Sequence, residues 1–280
     1  MVRRSRRGLT LPELLVGLTI LAIVGAAMVR LFLAETRNVD RLMLQRSARA
    51  VARSSITLLM SELRMVVPEG GILAASPSSV ELFAPFASGL SCGTVGQSTI
   101  VSLLPADSAM LASALYSGYA WRGNDGRYAF VDTAIALSWG ASASPCAAAG
   151  LTTLSGGQLV AVSPPLPASA TAGTPIFLVQ RLRYWFGPSA DVPGAVALLR
   201  TRALDAGTEE LAAPVDSVSH FRFFREGVDS SESMPPAVLD DLRGLELNLV
   251  GLSSRRRFGA SRPERAARRS AIYFANATPW

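Results

Sequence analysis

The chain has 280 residues, 27 basic and 21 acidic side chains, a formal net charge of +6 and a mean hydropathy of +0.31. At 49% apolar and 17% charged it is no disordered chain, its 2 Cys exclude a disulfide-dense scaffold, and a single long apolar run excludes a multi-pass membrane protein. Every basic residue is Arg, four of them in residues 1–8 and seven in 253–270, which leaves 16 Arg and 20 acids between, so the basic character belongs to the two ends.

The first predicted element is an apolar helix. Residues 9–29 are apolar or small except for Glu13 and two Thr, and 21 residues suffice to cross a bilayer. Arg3, Arg4, Arg6 and Arg7 before it would hold that end in the cytoplasm. A secretory signal peptide would have a shorter apolar region closed by a small-residue cleavage site, and no such break interrupts this run. A plain signal anchor leaves Glu13 unexplained, because a carboxylate inside an apolar helix is costly without a partner. Pro12 falls in the first turn, where a missing N–H is harmless.

An Arg-rich leader ending in Gly8, an apolar residue after it, a lone Glu five positions beyond that Gly and an uninterrupted apolar helix occur together. On the residues Gly8-Leu9-Thr10-Leu11-Pro12-Glu13-Leu14-Leu15-Val16 the chain resembles the class III signal of type IV pilins and of type II secretion pseudopilins. The resemblance implies that prepilin peptidase cuts between Gly8 and Leu9. Leu9 then becomes the N-methylated first residue, where the family more often has Phe. It also implies that Glu13 assists assembly by pairing with the free amine of a neighbouring subunit, since a buried carboxylate needs a cation.

After residue 29 the apolar run ends but the helical pattern continues, with no Pro or Gly from Arg30 to Val67. Leu44, Ala48, Val51, Ala52, Leu58, Leu59, Leu63 and Val66 recur near helical spacing, and Arg37, Arg41, Arg46, Arg49, Arg53 and Arg64 mostly fill the other faces. Pro68, Glu69, Gly70 and Gly71 form a stop. The spacing predicts one helix over 12–67, about 80 Å long.

Residues 68–280 read as short β segments separated by Gly, Pro, Ser and Asp. Strands are predicted at 79–83, 98–104, 119–122, 128–132, 134–139, 158–162, 176–186, 195–201, 218–225, 245–252 and 271–275, with a short helix at 236–243. Gly123-Asn124-Asp125-Gly126 reads as a hairpin turn. The later half, from Val179-Gln180-Arg181-Leu182-Arg183-Tyr184 through Phe221 and Phe223 to Leu245-Glu246-Leu247-Asn248-Leu249, resembles PilW-type minor pilins and J-type pseudopilins.

Cys92 and Cys146 are the two cysteines. In an exported head they are candidates for a disulfide closing a loop of about 53 residues, a contribution of about 4 kcal/mol. Two Cys and one His make no standard structural zinc site. Gly89-Leu90-Ser91-Cys92-Gly93 matches G-x-S-x-G, but the segment after it, Thr94 to Leu104, reads as turn and strand, not helix, so a loop holding a structural Cys is expected there. His220 is the sole candidate base for Ser91 and sits in an alternating strand. Tyr184-Trp185-Phe186 and Phe221, Phe223 and Phe224 are expected to pack in a core. Arg255, Arg256, Arg257, Arg262, Arg265, Arg268 and Arg269 read as a solvated loop between two strands; the sharper readings are a patch for an acidic partner subunit, anionic lipid or DNA.

These readings predict an α+β, pilin-like chain: a leader at 1–8, a long helix at 9–67 with its transmembrane half at 9–29, and a β-rich periplasmic head at 68–280. No enzymatic activity, cofactor or metal is expected. The expected role is that of a minor pilin, held in the inner membrane by one span, which joins other minor and major pilins to initiate or cap a type IV pilus. The alternatives are a J-type pseudopilin of type II secretion, a pilin-like DNA-uptake receptor and a membrane-anchored hydrolase using Ser91.

Overall fold

The computed structural model describes residues 11–123, 125–202, 207–257 and 259–274. Helix α1 (Leu11–Leu63) runs for 53 residues, about 80 Å. Its interior from Arg30 onward offers no Gly or Pro to break it. The helix ends at Leu63, four residues earlier than the sequence predicts. Val66 and Val67 are still buried, but in a connecting turn before the single irregular turn α2 (Pro68–Gly71), where Gly70 adopts φ 76°.

The strands follow as β1 (Ile72–Ser76), β2 (Ser79–Val95), β3 (Ser98–Leu103), β4 (Gly118–Arg122), β5 (Tyr128–Val131), β6 (Ala136–Trp139) and β7 (Leu159–Ser163). Then come β8 (Pro175–Pro188), β9 (Val196–Arg202), β10 (Thr208–Val215), β11 (His220–Arg225), β12 (Leu242–Arg256) and β13 (Pro263–Tyr273). Short helices α3 (Pro105–Met110) and α4 (Ser144–Ala148) sit in the connections. All described strands pair antiparallel in one sheet, whose main path runs β11-β12-β10-β9-β8-β2-β3-β7-β6. β13 pairs with β12, and the β4–β5 hairpin joins β8. β2 is much longer than the predicted 79–83. It stays continuous by shifting register at Pro85/Ala87 and Ser91/Gly93, and the first shift accommodates a proline that cannot donate to the ladder.

One core lies between α1 and the later strands. Ala52, Ile56, Leu59 and Leu63 of the helix meet Leu82, Leu182, Leu198, Phe221, Phe223, Leu245, Leu247 and Leu249. A second core, around Val101, Leu103, Tyr119, Val160, Val162, Ile176 and Leu178, holds the far half of the sheet. The aromatics Tyr184, Phe221 and Phe223 are fully buried, as core packing requires, while Phe224 packs against Tyr273.

Three expectations are corrected. The G-x-S-x-G segment is not a loop: it lies inside β2, because its backbone pairs with β3. The predicted helix at 236–243 reduces to a 3-10 turn at Leu239–Asp241, since Leu242 and Arg243 already belong to β12. The Arg-rich stretch after 252 is not a loop between strands. It is the end of β12 and most of β13, paired in register from Gly244↔Tyr273 to Leu252↔Arg265 and again at Arg256↔Pro263. The final strand accordingly begins at Pro263 rather than Ala271.

Candidate functional site

α1 has two halves of different character. Every residue from Leu11 to Val39 is exposed, including Leu14, Leu18, Leu21, Ile23, Leu31 and Phe32. This is the one described helix long and apolar enough to cross a membrane. Leaving so many large apolar side chains in water would be costly, so this half requires an apolar surrounding that the chain itself does not supply. Glu13 stands in its first turn. The processing residues Gly8 and Leu9 lie outside the described residues.

From Leu44 onward the helix is docked on the sheet. A close approach occurs at Gly251 of β12: a Cβ there would stand 2.2 Å from the carbonyl oxygen of Ala48. Small residues on both sides, Gly251 against Ala48 and Ala52, therefore let helix and strand backbones touch. Ser55 Oγ adds a hydrogen bond to the Leu211 carbonyl, 3.2 Å.

Near its end the helix makes a polar anchor that the sequence reading missed. The Tyr184 hydroxyl and the Arg200 guanidinium both donate to the Glu62 carboxylate, and Arg200 Nε also donates to Glu209, 3.1 Å. Tyr184 and Arg200 are buried. Burial pushes the Glu62 carboxyl up from its ordinary value; Arg200 pulls it back, Glu209 adds to the rise and Arg202 opposes it. The available signal was a lone Glu within the apolar stripe, between Leu59 and Leu63. Sliding the helix by one turn, about 5.4 Å, would break both bonds to Glu62, so the cluster sets the axial position of α1 on the sheet.

The structure divides the seven candidate arginines. Arg255 pairs with Asp40 of α1, Arg265 with Asp216 at 2.8 Å, and Arg269 with Glu246 at 3.4 Å and with Asn248 Oδ1 at 2.8 Å. Arg256, Arg257 and Arg262 gather at the β12–β13 turn, and Arg268 lies exposed on β13. Three of the seven are thus tied to acids of the same chain.

Cys92 and Cys146 form a disulfide that joins β2 to α4, packed with Ile100. Ser91 is buried and its Oγ donates to the Thr171 carbonyl at 2.9 Å. His220 Nδ1 lies 2.7 Å from the Val218 carbonyl, and its other nitrogen faces Asn248 at 3.5 Å. Neither residue is the other's partner, and Ser91 in a paired strand has none of the exposed strand-to-helix geometry of a nucleophile elbow.

Residues 3–29 match the family model of the prokaryotic N-terminal methylation motif. No curated protein and no solved structure matches the chain. The matched segment carries the class III signal and leads into the bare half of α1, which fits membrane anchoring and implies handling by prepilin peptidase and partnership with pilus components. That motif on a long apolar helix followed by a large antiparallel sheet supports a type IV pilin-like protein.

Proposed function

We propose that this protein is a PilW-like minor pilin. Cleavage after Gly8 exposes Leu9, the apolar half of α1 holds the chain in the inner membrane by a single span, and the head faces the periplasm. There it joins other minor and major pilins to initiate or cap a type IV pilus, through packing of α1 against neighbouring helices, a Glu13–amine pair and contacts between heads. The observation that carries this reading is the division of α1. A bare apolar half with one carboxylate in its first turn is continuous with a half locked to a large head. A head of this size suits a subunit at a filament end, which has neighbours on one side only.

Intact mass and N-terminal sequencing of the mature protein test the processing step, with a start at Leu9 expected. Glu13→Ala should still enter the membrane but should fall at least ten-fold in the sheared pilus fraction, because the neighbouring amine loses its counter-charge. Wild-type incorporation of that variant would remove the assembly role of Glu13.

A further inference from the structure

β12 runs alongside α1 in the opposite direction. Ser270, opposite Leu247 in the sheet, touches Met60; Gly251 meets Ala48; Arg255 pairs with Asp40. Between Leu252 and Arg256 β12 carries two residues more than β13, so from Gly251 to Arg255 the strand advances about 7–13 Å. From Ala48 to Asp40 the helix advances about 12 Å. The Arg255–Asp40 pair keeps the end of β12 beside the helix, so the β12–β13 turn beyond Arg255 extends past Asp40 towards the bare half of the helix. The last exposed apolar cluster of that half, Leu31-Phe32-Leu33, ends about 10 Å before Asp40. A further strand residue or two brings the turn within about one Debye length of that level.

This turn carries Arg256, Arg257 and Arg262, none of which makes an ion pair among the described residues. Along the neighbouring stretch α1 contributes Arg30, Arg37 and Arg41, and the nearby acids are Glu35, the Asp40 already held by Arg255, and Glu264, two residues after Arg262. A band of net positive charge is thus held where the apolar helix ends. Guanidinium groups present paired donors that match phosphate oxygens.

We propose that the β12–β13 turn is a membrane-surface contact, in which Arg256, Arg257 and Arg262 bind the phosphates of anionic lipid headgroups and seat the head on the bilayer. The Arg255–Asp40 pair is the strut that aims the turn along the helix. The proposal rests on α1 being a membrane anchor. Each arginine at a lipid surface contributes about a five-fold factor to such a contact, so the three together contribute on the order of 100-fold.

The test uses the full chain reconstituted in vesicles, with a donor dye on Ser261→Cys at the turn and an acceptor on the lipid headgroups. Cys92 and Cys146 are bonded to each other, so the new thiol is labelled selectively. Energy transfer should rise when about 30 mol% phosphatidylglycerol replaces phosphatidylcholine, and should fall back at about 1 M salt, where the Debye length is about 3 Å. Replacing Arg256, Arg257 and Arg262 together by Ala should abolish the rise, and replacing them by Lys should retain most of it. Equal transfer in neutral and anionic vesicles, or in wild type and the Ala variant, overturns the proposal. So does a turn that responds to added duplex DNA but not to phosphatidylglycerol. Failure of the chain to co-float with neutral vesicles would instead overturn the anchor reading beneath it.

Discussion

Gly251 owes its place to space rather than to backbone freedom, since a methyl group there would collide with the Ala48 carbonyl. Gly251→Ala should destabilise the full chain by about 1–3 kcal/mol, the usual cost of overpacking, read as a lower denaturant midpoint in detergent. Glu62 makes a different kind of prediction. Burial chiefly raises its carboxyl pKa above the ordinary 4.5. Between 4.5 and the raised value the folded state binds more protons than the unfolded one, so its stability falls as pH rises through that window. The advantage of wild type over Glu62→Gln should therefore be greatest below pH 4.5 and shrink as pH climbs, then level off. Unfolding midpoints measured across that range check the sign; an advantage that grows with pH contradicts it.

Among elements, the long helix was legible, though its bare half runs to Val39 rather than ending at 29, and the sheet was only partly so. The apolar run, the Pro- and Gly-free stretch and the Arg-lined stripe are local patterns, and each is visible within a few helical turns. The later alternating strands, such as Phe221-Arg222-Phe223, were legible for the same reason. β1 and β10 were missed as strands because Ala-rich runs, Ala74-Ala75 and Ala212-Ala213, lack a polar and apolar alternation. β13 was misread because its Arg-rich sequence looks solvated, while its strand form comes from pairing with β12. The Glu62 cluster unites groups 122 and 138 residues apart, a juxtaposition no local window contains. At this scale the Cys92–Cys146 bond spans 54 residues and ties the far end of β2 to α4. Reducing it should cost about 2–4 kcal/mol of unfolding free energy by restoring chain entropy to the unfolded state. Denaturant melts with and without reductant measure this, and equal midpoints would assign the bond no stabilising part.

The whole molecule is a head whose core excludes the first half of its own helix. Every buried residue of α1 lies at Leu44 or beyond. A chain lacking residues 1–39 should therefore fold alone, with a cooperative unfolding transition within about 0.5 kcal/mol of the full chain, as expected for removal of groups outside the core. A non-cooperative melt would show that the anchor half contributes to the head. The pairing of α1 with β12 and β13 also imposes an order of events. Asp40 and Arg255 are 215 residues apart, and Met60 and Ser270 are 210 apart. At ~5–20 residues per second, a ribosome makes the strands that cover the helix about 10–40 s after the helix itself. During that interval Leu44, Ala48, Ile56 and Leu59 have no lid, and the nascent chain carries two apolar surfaces where the finished protein carries one. The second half of the helix therefore gains its cover from β12 and β13 only when translation is almost done.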